Sequence, residues 1–156
     1  MTHSFDSQPW RQARDAQLMA WLGDAYAVQY VQMVGEASEF FDDLIDKDKP
    51  ISDEWIVGMM YKLLIDLHVN PFFTRYKSEL VPIMSVAINA WLDANQLETG
   101  TDTQVSRAYV LRDLTIEILL HSIQLVRGRD YMRSVSLAVR EFFLHESLDE
   151  YRESTL

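Results

Sequence analysis

AYAVQYVQMVGEASEFFDDLID, residues 25–46, carries the clearest pattern in the chain and sets its fold class. Tyr26, Tyr30, Met33, Ala37, Phe40 and Leu44 follow at steps of 4, 3, 4, 3 and 4, the apolar seam of a helix packed on other helices. Val34, Phe41 and Ile45 widen the seam into a core-facing stripe. At 100° per residue, Glu36, Glu39, Asp43 and Asp46 share a sector about 80° wide beside it. Four carboxylates on one face can hold a divalent cation, present an acidic patch to a partner, or face water.

Outward from this segment the chain reads as a row of helices. Upstream, Pro9 is a good first helical residue for a segment over 10–22, and Gly23-Asp24 either ends it or is absorbed into one long helix. Downstream, Pro50 disfavours helical geometry before it and stops the acidic helix. Ser52 is an N-cap with Asp53 and Glu54 in the first turn, and Ile51 and Ile56 stand as a hydrophobic staple. The helix it opens should reach His68 and bury Trp55, Met59, Leu63 and Leu67 on one side. Asn70-Pro71 starts a short turn carrying Phe72, Phe73 and Tyr76. Ser78 and Pro82 open the next helix, to about Ala94, so apolar all round that it should be central.

The polar stretch 95–103 with Gly100 predicts a mobile loop. A long helix from Asp102 or Thr103 to Val126, ended by Gly128, and a last helix over 130–145 complete the series. Residues 1–8 and 147–156 are expected to fray. No period-2 segment bounded by turn residues occurs. The reading is an all-α fold: a single-domain helical bundle of five to seven helices, spanning residues 1–156.

Composition agrees. Apolar content of 48% suits a packed core, while five Gly and four Pro are too few for a loop-rich β fold. The formal charge of −10, from 24 acidic and 14 basic side chains, repels nucleic-acid phosphates and anionic membrane surfaces. It attracts a basic partner. Cysteine is absent, which removes disulfide and thiolate chemistry. The start shows no signal-peptide pattern and no stretch reaches the ~18 apolar residues of a membrane span. A cytoplasmic protein is expected, with no membrane contact and no direct nucleic-acid binding.

Two constellations could carry chemistry. Asp42-Asp43-Leu44-Ile45-Asp46 resembles the DDxxD string by which isoprenoid synthases hold Mg²⁺ on a diphosphate, and Glu36-x-x-Glu39 is similar to the first metal motif of all-α nucleotide pyrophosphatases. The second motif of each family is missing. On the penultimate helix, Asp113, Glu117 and His121 follow at i, i+4 and i+8. Facing Glu36, Glu39, Asp43 and Asp46 across a bundle, Asp113 and Glu117 would complete a Mg²⁺ or Mn²⁺ site. The plainer reading is a charged helix face, with Asp113 and Glu117 paired to arginines. Arg127, Arg129 and Arg133 can bind phosphate or favour a helix C-terminus.

The order FFDDLIDKDKPIS, NPFF, AYVLRD resembles small all-α proteins encoded by tailed phages and prophages. That resemblance implies a protein of the host cytoplasm, virion-associated or acting on a host component, and transfers no catalytic residue. With no complete catalytic set, the favoured expectation is a non-enzymatic protein without cofactor. It would act by association with a protein partner or with itself, through Asp42, Asp46, Phe72 and Phe73. The alternative is a Mg²⁺- or Mn²⁺-dependent enzyme on a phosphorylated substrate.

Overall fold

The computed structural model describes residues 7–144 and 146–156, and among them every regular element is helical. Helix α1 (Gln8–Leu22) is capped by the Ser7 side chain and ends on Gly23, whose φ of +66° is the left-handed conformation glycine adopts at least cost. Asp24 then caps α2 (Ala25–Asp46), so Gly23-Asp24 separates two helices. Ser7 and Gln8, within the segment expected to fray, cap and open α1; residues 1–6 of that segment lie outside the described residues.

Ser52 caps α3 (Asp53–Tyr61), as its sequence suggested. The helix continues without a break through a π-helical segment, Lys62–Asp66, into α4 (Leu67–Val69). The apolar spacing explains the π turn. Trp55, Met59, Leu63 and Leu67 recur every fourth residue, which on an α-helix drifts by about 40° at each step. Wider i→i+5 winding removes much of that drift. Met59 and Leu67 are buried, and Trp55 and Leu63 half-buried. This rod runs antiparallel to α2, for Trp55 meets Phe40, Lys62 meets Glu36, and Asn70 Nδ2 donates to the Tyr26 carbonyl at 3.0 Å.

The Asn70 side chain also caps α5 (Pro71–Leu97), which absorbs the two segments expected on either side of Ser78. A bend remains at Tyr76 (φ −111°, ψ 21°), ahead of Pro82. Helix α6 (Asp102–Arg112) follows a connection over 98–101 only, shorter than the loop expected over 95–103, and is opened by a Thr101–Gln104 capping box. The long helix predicted over 102–126 is broken at Asp113-Leu114 and resumes as α7 (Thr115–Arg127). Helix α8 (Arg129–Phe142) stops short of the predicted end at His145, a residue outside the described ones. The C-terminal segment expected to fray forms α9 (Leu148–Ser154), with a Ser147–Glu150 capping box and a buried Tyr151.

The main core gathers Leu18, Leu22, Tyr30, Phe72, Phe73, Leu80, Leu119, Ile123 and Val139 from α1, α2, α5, α7 and α8. The central helix is α7, with Ile116, Ile118, Leu119, Leu120, Ser122 and Ile123 all buried. Helix α5, expected in that place, leaves Val86, Ile88 and Leu92 exposed. Trp10 and Trp21 close the α1–α8 end against Phe142 and Phe143. A second small core holds Ala94, Val105, Ala108 and Tyr151 between α5, α6 and α9. No helix among the described residues is long and apolar enough to cross a membrane.

Candidate functional site

The C-terminal half of α2 is partly inverted. Asp43 is only 7% exposed and Glu36 and Asp42 are half-buried, while Glu39 and Asp46 are exposed and Phe41, Leu44 and Ile45 point out at 43–54% exposure. The seam is core only in its middle: Tyr30, Met33 and Phe40 are buried, and Tyr26 and Leu44 at its two ends are exposed. Glu36 pairs with Lys62 on the π segment, Asp43 with Lys49 at 3.7 Å, and Asp42 reaches α5 and α6. The acidic stripe therefore lies between the α3–α4 rod on one side and α5–α6 on the other.

Asp42 belongs to a polar node centred on Arg112, the last residue of α6. Arg112 Nε donates to Glu98 Oε1 and to the Tyr151 hydroxyl at 3.1 Å. Its Nη1 meets Asp42 Oδ1 at 3.3 Å, and its Nη2 meets Asn95 Oδ1 at 2.8 Å. Asp42 Oδ1 also accepts from Trp91 Nε1 at 2.9 Å, and the Tyr151 hydroxyl donates to Glu98. Burial works against the charge on Arg112, but hydrogen bonds to Glu98 and Tyr151 outweigh it and raise its pKa. Burial and the Glu98 carboxylate likewise push the Tyr151 phenol up, so it stays a neutral donor. One guanidinium thereby ties α2, α5, α6 and α9 together.

A cleft of about 1360 Å³ runs along the stripe, and Glu36, Glu39, Asp43 and Asp113 all line it. Asp46 and Glu117 do not. Glu117 pairs instead with Arg140 on α8 at 2.7 Å, and Asp113 sits at the break between α6 and α7 rather than on a shared helical face. Burial raises the Asp113 pKa, against an opposing pull from Arg140. Burial, reinforced chiefly by Asp42, raises that of the exposed Asp46. Among the described residues, no group of three or more His, Asp or Glu side chains is arranged to hold a metal ion. The six carboxylates expected as a Mg²⁺ or Mn²⁺ site are thus split between ion pairs and separate surfaces.

The expected interaction residues divide in the same way. Phe72 and Phe73 are not surface anchors: each is 3% exposed and packs against Tyr30 in the main core, Phe73 stacked and Phe72 tilted, because the Asn70 cap turns the start of α5 inward. Asp42 is engaged with Arg112, and Asp46 is exposed. Of the arginines near Gly128, Arg127 covers the end of α1, its Nη1 donating to the Ala20 carbonyl at 2.9 Å while its guanidinium lies 3.9 Å from the Tyr131 ring centre.

What the spacing did not reveal is the outer face of the α3–α4 rod. Val57, Met60, Tyr61, Leu64, Ile65 and Val69 are each 49–71% exposed. They follow at i, i+3, i+4, i+7, i+8 and i+12, an apolar row opposite the Met59–Leu67 face. The signal was present, since the rod is apolar on both faces. A rod lying on one neighbour along its length can bury only one of them. Comparisons with protein-family models, curated proteins and solved structures find no match.

Proposed function

We propose that this protein works by binding another protein, through the outer face of the α3–α4 rod and the adjoining end of α2, rather than by catalysis. The observation that carries the reading is the exposed row from Val57 to Val69. Scattered surface apolar residues are ordinary, but a row at helical spacing on one face marks an interaction site. The outward Phe41, Leu44 and Ile45 at the end of α2 add to it. In the phage setting implied by the resemblance, the partner is a virion component or a host protein.

The test is affinity capture from the cells that express the chain, comparing the parent with a Tyr61→Gln/Leu64→Gln/Ile65→Gln variant of equal thermal stability. A protein retained by the parent and lost by the variant is the expected result. Equal retention by both, or by neither, would remove this face as the working surface.

A further inference from the structure

We infer that the occupant of this face is an amphipathic helix of a different protein, apolar along one seam and basic on its flanks; this rests on the interaction reading above. The shape argues for a helix. Val57, Met60, Tyr61, Leu64, Ile65 and Val69 form ridges at the i±3 and i±4 spacings that interdigitate with another helix. From Val57 to Val69 the row spans about 18 Å, the length of a partner helix of about three turns. A helix laid on such a row buries apolar positions at i, i+3, i+4 and i+7 of its own.

Charge favours a basic partner. Residues 41–69 hold seven acidic side chains against three basic ones. Two of the three, Lys49 and Lys62, are already paired with Asp43 and Glu36. Asp46, Asp48, Asp53, Glu54 and Asp66 are all exposed. A partner carrying Lys or Arg beside its seam gains from this field in encounter rate and in register. A second copy of the chain brings another −10 and the same acidic residues against these. An anionic bilayer is repelled for the same reason.

The experiment uses three labelled 18-residue peptides and the full chain at about 0.1 M salt, where attraction between exposed charges still acts over about 10 Å. The first has Leu at i, i+3, i+4 and i+7 spacing and Lys elsewhere; the second replaces Lys with Glu; the third keeps the Lys composition and scatters the Leu. Fluorescence anisotropy should show the first binding at least tenfold tighter than either other. The Tyr61→Gln/Leu64→Gln/Ile65→Gln variant, folded by circular dichroism, should lose that preference. Equal binding of the Lys and Glu peptides would overturn the basic partner while leaving an apolar docking face. Equal binding of the scattered peptide, or full binding by the variant, would overturn the helical docking mode. Light scattering that finds a parent dimer and a monomeric variant would assign the face to a second copy and overturn the inference. Cellular capture lost in the variant, together with peptides that fail to discriminate, would separate a wrong partner class from a wrong function.

Discussion

Arg112 is the residue on which the junction of α2, α5, α6 and α9 depends. Replacing it with Met leaves Asp42 and Glu98 facing each other without their cation. Removing one partner of a largely buried ionic group costs more than the pair contributes. With Glu98 and Asp42 side chains 20% and 37% exposed, solvent moderates that cost, and urea denaturation of Arg112→Met should show a loss of about 3 kcal/mol. Tyr30 is the opposite case. Its hydroxyl is buried without a hydrogen-bond partner among the described residues. Tyr30→Phe should therefore lie within about 1 kcal/mol of the parent, on the stabilising side, in the same assay. Asp113 gives a pH signature. Burial raises its pKa in the folded state above the ordinary 3.8, so the folded state binds the proton more readily than the unfolded one. Its charge opposes folding at neutral pH, and that penalty disappears as pH falls through the raised value. Asp113→Asn should melt higher than the parent at pH 7, and the gap should close as pH falls toward 3.8.

At the scale of elements, α9 shows how local signals and length compete. The acidic stretch 146–156 reads as a tail, yet Ser147-Leu148-Asp149-Glu150 is a capping box, with Glu150 returning to the Ser147 N–H at 2.8 Å. A helix of seven residues does not persist alone in water. It holds because Tyr151 closes the small core of Ala94, Val105 and Ala108 and hydrogen-bonds Glu98 and Arg112. Tyr151→Ala should cost about 3–4 kcal/mol and raise hydrogen exchange in α6 as well as α9. Several boundaries that rest on caps and prolines were legible in the sequence, for Ser52 and Asn70-Pro71 each start a helix, but Ser78 and Pro82 lie inside α5 and open none. The break at Asp113-Leu114 was not, because no Gly or Pro marks it and both flanks are helix-permissive.

The whole molecule carries −10 in one compact body, and that charge repels itself. Raising NaCl from about 0.02 to about 0.2 M shortens the screening length from roughly 20 to 7 Å, and the thermal midpoint should rise with it. A fall would mean that ion pairs such as Glu36–Lys62 outweigh the general repulsion. The same charge balance bears on the proposed interaction surface. Exposed carboxylates outnumber cations on the segments that carry the proposed docking row, so association should weaken with salt while folding strengthens.

By itself the sequence determined the helical class, the middle of the α2 seam and most helix starts, because periodicity, caps and prolines act within a turn or two of chain. It could not determine which flank of α2 or of the α3–α4 rod would be covered. Both helices carry more apolar faces than their neighbours can bury, so the choice falls to packing partners dozens of residues away. Tertiary structure placed Asp43 inside and Phe41 outside, made α7 rather than α5 central, and turned the apparent tail into the lid of the Arg112 node. Glu36, Glu39 and Asp43 came to line a cleft, where Lys62 and Lys49 reach Glu36 and Asp43 only once the helices pack, and the exposed outer face of the rod became apolar.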